Sequence, residues 1–179
     1  TKDNKEEYDE KESVDNRLGA GGFDRVLDDR ATGGSAAKRA TDDEIEQAIT
    51  DGVAWLIAQQ NADGSWGTWE QVSKTGFAVV KLEERAFDLG YDSPFDPDYA
   101  YSQNVIDGLN YIFSQAASCG PGICFAPGGH ETYHTGIAMM AIAASKDPNR
   151  VVNVPGSAVV GWTYQQVLQA NVNYFAWSQ

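Results

Sequence analysis

From Thr41 to Gln179, apolar side chains recur at spacings of three and four residues, the periodicity of helices with one buried face. The stretch that follows Thr41 forms one such stripe as far as Gln60. The stripe consists of Ile45, Ala48, Ile49, Val53, Leu56 and Ile57. Thr41 followed by Glu44 predicts a capping box at the start of this helix. No segment alternates convincingly between apolar and polar residues, so the pattern predicts an all-α fold.

The helical pattern repeats along the chain in two alternating kinds of helix. Helices of the first kind carry an Asp-Gly pair or align with one, and they cover residues 45–60, 101–116 and 164–179. Helices of the second kind begin with Thr-Gly, and they cover residues 75–82 and 135–142. We call them DG helices and TG helices. Repeats of this size are typical of stacked helix pairs. We therefore expect a repeat domain over residues 43–179.

Residues 1–42 lack this periodicity and contain few apolar residues and several glycines. Such a segment buries too little surface to offset the entropy lost on ordering. We expect an extended or disordered N-terminal arm, and the alternative is an arm that lies on a partner through Phe23, Val26 and Leu27. Because the chain begins at Thr1 without a signal-like segment, we also expect a processed or trimmed product.

Charge narrows the classes of partner. The chain has 179 residues and a net charge of −13, and residues 43–179 hold 15 acidic but only 5 basic side chains. This field repels nucleic acid and anionic lipid headgroups. The longest apolar run, residues 137–144, is too short to cross a bilayer. We therefore expect no nucleic-acid partner and no membrane-spanning segment.

One motif carries a family resemblance. Gln60, Gly64 and Trp66 form a Q-x3-G-x-W pattern, the QW motif, directly after the first DG helix. With the repeated helix pairs, residues 43–179 resemble the superfamily of squalene–hopene cyclases and prenyltransferases. The resemblance implies an α/α toroid of inner and outer helices, in which the motif's Gln and Trp brace neighbouring helices and take no part in catalysis.

The chain departs from that family in two respects. Class II cyclases of the family protonate their substrate with a D-x-D-D element, and no such element occurs at either TG helix. Only two and a half helix pairs are present, whereas the family closes its toroid with about five or six. We therefore expect a partial toroid that acts as a non-catalytic scaffold or accessory subunit, associating with protein partners or with itself. The alternative is the N-terminal portion of a triterpene cyclase or prenyltransferase-like enzyme, with an isoprenoid ligand.

All the cysteines and histidines of the chain lie within one segment, in the order Cys119, Cys124, His130 and His134. Four interpretations stay open. A Cys119–Cys124 disulfide would place the protein outside the reducing cytoplasm, in the periplasm or secreted. The four residues could instead form a structural zinc site. His130-Glu131-x-x-His134 also matches a zinc hydrolase motif, with Glu131 as general base. In the fourth interpretation, the two thiols are free and the two histidines have no specific role. We expect the disulfide and no cofactor, with zinc as the alternative.

Overall fold

The computed structural model describes residues 39–179, which contain five helices and one two-stranded sheet. The helices are α1 (Asp42–Ala58), α2 (Gln71–Asp88), α3 (Ser102–Ser114), α4 (Glu131–Ala144) and α5 (Tyr164–Trp177). The strands are β1 (Ala116–Cys119) and β2 (Gly122–Phe125). The expected arm, including Phe23, Val26 and Leu27, lies outside the described residues except for its last four positions. Within the described residues, no helix is long and apolar enough to cross a bilayer.

Each periodic segment forms a helix, and the predicted capping box is present at α1. Thr41 Oγ1 accepts a hydrogen bond from the Glu44 amide at 3.2 Å, and Glu44 Oε2 accepts one from the Thr41 amide at 2.8 Å. Thr163 caps α5 in the same reciprocal way with Gln166. Both boxes satisfy amide groups that have no partner inside their own helix.

The expectation of a chain without strands is wrong at residues 116–125. β1 and β2 pair antiparallel, with Ala116 opposite Phe125 and Cys119 opposite Gly122. All four residues of β2 are buried, and the strand packs against α4 and α5. A short strand covered on both sides shows no alternation of apolar and polar residues, which is why the pattern did not reveal it.

The TG helices α2 and α4 form the centre of the fold. They pack against each other, α2 also packs against α3, and α5 packs against α4 and β2. Glycines permit the closest approaches. A Cβ atom at Gly76 of α2 would lie 2.6 Å from Ile137 Cγ2 of α4, and one at Gly108 of α3 would lie 2.5 Å from Val79 Cγ2 of α2. Gly76 of the first TG pair and Gly108 of the second DG pair are therefore helix-packing positions.

Candidate functional site

The QW residues join the end of α1 to α3. The backbones of Gln60 and Trp66 form a β-bridge that closes the loop between them. The Gln60 side chain donates from Nε2 to the carbonyl oxygens of Gly64 and Asn104, both at 3.0 Å. Its Oε1 accepts a hydrogen bond from Asn104 Nδ2 at 2.6 Å. The amide thus satisfies backbone groups in the loop and in the first turn of α3.

Trp66 connects the loop to α1 and α2. Its indole Nε1 donates to the carbonyl oxygen of Leu56 at 2.8 Å, near the end of α1. Its backbone amide donates to Thr75 Oγ1 of α2 at 2.9 Å. The ring is buried in the core. These contacts hold three elements together and leave no polar group of the indole free for chemistry.

The second repeat reproduces this arrangement without a Gly-x-Trp sequence. Gly64 has φ +88°, and a Cβ atom there would lie 2.3 Å from the Asp107 carbonyl oxygen of α3. Gly122 approaches α5 comparably closely, since a Cβ atom there would lie 2.2 Å from the Ala170 carbonyl oxygen. The Phe125 amide donates to Thr135 Oγ1 at 3.0 Å, as the Trp66 amide does to Thr75. Sequence reasoning missed this second loop, although a glycine and an aromatic residue shortly before a TG helix would have indicated it.

Cys119 and Cys124 lie at disulfide distance across the β-hairpin, with their Cα atoms 5.6 Å apart. They sit at either side of the turn between β1 and β2, and Cys124 is completely buried. The ring of Trp177 closes over this turn, because a Cβ atom at Gly120 would lie 2.8 Å from its Cδ2 atom. The pair therefore belongs to a hairpin that the last turn of α5 covers.

The histidines lie at the start of α4, and the structure does not join them to the cysteines in one ligand set. Within residues 39–179, no group of three or more His, Cys, Asp or Glu side chains is placed to hold a metal ion. His130 is the N-cap residue, in a left-handed conformation at φ 61°. Glu131 accepts hydrogen bonds from the amides of Gly128 and Gly129, which lower the pKa of its carboxyl group. His134 is buried, and its Nδ1 atom has no hydrogen-bond partner.

An apolar groove of about 580 Å³ runs between α1 and α2. Aromatic side chains form much of its wall, and two lysines lie at its edge. These lining residues are Trp55, Trp66, Phe77, Lys74 and Lys81. The ammonium group of Lys74 lies 3.7 Å from the ring centre of Trp69, and that of Lys81 pairs with Glu84 at 2.5 Å. The groove presents an apolar floor and a partly cationic rim.

The groove is open because α1 is uncovered, although α1 and α3 carry the same apolar pattern. A shift of 56 positions aligns five positions of α1 with five buried positions of α3. The pairs are Ile49/Val105, Gly52/Gly108, Val53/Leu109, Leu56/Ile112 and Ile57/Phe113. All the α3 members are buried, whereas α1 has no buried residue and Ile49 is 44% exposed. The difference in burial comes from the preceding TG helix. α2 precedes α3 and packs against it, whereas no TG helix precedes α1 in residues 39–179.

α2 and α4 show the converse difference at the other end of the stack. A shift of 60 positions aligns Ser73 and Val80, which are buried in α2, with Tyr133 and Met140 of α4, which are 51% and 52% exposed. α4 packs against α2, but no TG helix follows α4 within the described residues. We call the uncovered residues Ile45, Ile49, Trp55 and Phe77 the leading face. We call Tyr133, Gly136 and Met140 the trailing face.

Glu83 is the most perturbed acid in the described part of the chain. It is fully buried in α2, and neither carboxyl oxygen has a hydrogen-bond partner. Burial, and secondarily the charge of Glu84, raises the pKa of Glu83 to about 9. Two buried tyrosines lie close enough to interact with it electrostatically, and burial raises the pKa of one of them, Tyr164, to about 12. Glu83 is therefore a neutral carboxylic acid at pH 7.

Comparison with known proteins identifies one partial likeness. An ent-copalyl diphosphate synthase from Streptomyces sp. (strain KO-3988) is 37% identical to this chain over 57 residues. The aligned segment spans 31% of this chain and 11% of that protein. No protein-family model matches the chain, and no solved structure matches it. The likeness supports a relationship to terpene cyclases over part of the chain.

Proposed function

We propose that residues 43–179 form an open portion of an α/α repeat toroid, and that this portion serves as a non-catalytic scaffold binding a protein helix at the leading face. The uncovered state of α1 carries the proposal. Its apolar stripe matches that of α3, which is buried against a TG helix, yet in α1 only Val53, Leu56 and Ile57 are partly buried against the core, and Ile45 and Ile49 remain exposed. An apolar face of this kind on a repeat protein is characteristic of an interaction site.

The groove beside α1 has the character of a site for a helical segment. At the equivalent place in the second repeat, a cavity of about 380 Å³ is lined by Tyr111 of α3 and His134 of α4, and residues 70–72 at the start of α2 form part of its wall. Tyr111 and His134 align with Trp55 and Lys74 of the groove. The partner helix would supply the wall that residues 70–72 supply in the second repeat. The QW residues then act as braces that hold α1 in position.

The cysteine pair supports a location outside the reducing cytoplasm. Cys119 and Cys124 lie at disulfide distance, and oxidising compartments favour such pairs. We propose a periplasmic or secreted scaffold, in which the disulfide fastens the hairpin beneath α5.

The test tethers a TG helix to the chain. A second copy of residues 71–88 is joined to the N-terminus by a flexible linker, which raises its effective concentration to the millimolar range. We expect the amides of α1 to become protected from hydrogen exchange. Ile49→Glu should abolish the protection, because it places a charge at the centre of the leading face. Ala54→Glu adds the same charge on the opposite, exposed side of α1 and should leave the protection intact.

Equal exchange of α1 with and without the tethered helix would contradict the scaffold function.

A second candidate is binding of an isoprenoid, favoured by the likeness to a diphosphate-forming terpene cyclase and by the aromatic wall of the groove. Farnesol added to the chain without the tethered helix distinguishes the two. Protection of α1 by farnesol, without protection by the helix, would favour the isoprenoid site.

A further inference from the structure

We propose that the partner at the leading face is a second copy of this chain, whose trailing face docks there head to tail. This inference rests on the proposed scaffold function and names its partner. The two uncovered faces are the two halves of an interface that the chain already contains between α2 and α4. Association would continue that established interface from one copy to the next.

The internal interface supplies the template. Ile137 of α4 is buried against α2, with its Cγ2 atom 2.6 Å from the position that a Cβ atom on Gly76 would occupy. Only a glycine leaves room for this contact. The interface thus consists of an apolar side chain from the later TG helix inserted at the glycine of the earlier one.

Each end of the stack exposes one half of this contact. Phe77 aligns with Ile137 and is 48% exposed on the leading face. Gly136 aligns with Gly76 on the trailing face, where the nearest atom to a Cβ position is Phe175 Cζ at 3.9 Å. Placing Phe77 of one copy at Gly136 of another would reproduce the contact between Ile137 and Gly76. Such an interface is heterologous, because different surfaces of the two copies meet.

The surrounding side chains suit this pairing. Tyr133 and Met140 flank Gly136 with exposed apolar surface. On the leading face, Trp55 lines the groove together with Phe77, and Ile49 is exposed. Charge is also complementary, since Lys74 and Lys81 border the leading groove while α4 contains Glu131 and no lysine or arginine. In the repeat, Lys81 aligns with Ala141, which is buried. Lys81 is paired with Glu84, so its apolar stem can cover the partner while its ammonium group stays in water.

Sedimentation velocity with complementary variants tests the pairing. The wild-type chain should exceed its monomer mass of 19.4 kDa as concentration rises. Phe77→Asp removes the inserted side chain, and Gly136→Phe fills its receiving position, so each variant alone should remain monomeric. An equimolar mixture should form a dimer and nothing larger, because one intact leading face meets one intact trailing face. Val160→Asp alters an exposed valine of the loop before α5 and should associate like the wild type.

Three results would overturn the inference: a wild-type chain that is monomeric at several hundred micromolar, a mixture that stays monomeric, or a Gly136→Phe variant that associates like the wild type. Met140→Asp, at an exposed position of the same face, replaces Gly136→Phe if circular dichroism shows that the latter is misfolded. A chain that accepts the tethered TG helix but stays monomeric overturns the second-copy partner and leaves the scaffold function standing.

Discussion

Glu83 is a carboxyl group in a position where a charge would lose nearly all its hydration. Burial raises the pKa of this group to about 9, against 4.5 for an exposed glutamate, so at neutral pH the folded chain holds a proton that the unfolded chain has already released. Between these two values the native state binds more protons than the unfolded state. The contribution of Glu83 to the free energy of unfolding is therefore complete below about pH 4.5 and is lost as pH rises towards about 9.

Glu83→Gln should remove this pH dependence, because a neutral amide of similar shape has no proton to lose. The free energy of unfolding of the wild type, relative to the variant, should fall by about 2–3 kcal/mol between pH 5 and pH 7. Urea unfolding at both pH values measures the difference. Glu84→Gln, on the exposed side of the same helix, should give a difference that changes little with pH. A flat difference for Glu83→Gln would show that the carboxyl is ionised in the folded chain.

At the scale of elements, the apolar stripes located the helices well. The stripe after Thr41 and the capping box with Glu44 fixed the start of α1 at Asp42, and the repeats marked α3 and α5. The hairpin of residues 116–125 could not be read in this way, because α4 and α5 bury β2 from both sides and erase any alternation. Nor could the second loop, because Gly122 and Phe125 replace the Gly-x-Trp of the first.

The QW loop offers a prediction about how two elements approach each other. Gly64→Ala and Gly90→Ala both place a methyl group on a residue with φ +88°, so both variants carry the same backbone strain. Only at Gly64 would the methyl group meet another element, 2.3 Å from the Asp107 carbonyl oxygen of α3. Gly64→Ala should therefore lower the free energy of unfolding by about 2 kcal/mol more than Gly90→Ala, as measured by urea denaturation. Equal losses would mean that α3 moves away at little cost.

At the scale of the whole molecule, the same apolar stripe is buried in α3 but largely exposed in α1, and the residues of the stripe do not explain the difference. Ile49 and Val105 stand at equivalent positions in equivalent helices, yet one is exposed and the other is buried. Burial depends on whether a preceding TG helix packs against the stripe, as α2 does against α3, and that is a property of the stack. The repeat was therefore readable from the sequence, whereas the open faces were visible only when each helix had been placed among its neighbours. The net charge of −13 also affects the association of two copies through these faces.

Two copies that approach head to tail bring like net charges together, so their long-range interaction is repulsive even where Lys74 attracts locally. Added salt shortens the screening length from about 20 Å near 20 mM to about 7 Å near 200 mM, which weakens this repulsion. The dissociation constant of the Phe77→Asp and Gly136→Phe mixture should therefore fall several-fold as sodium chloride rises over this range. Sedimentation equilibrium measures it for a single interface, and Phe77→Asp alone should stay monomeric throughout. A dissociation constant that rises with salt would instead mean that ion pairs at the lysine-bordered groove dominate the contact.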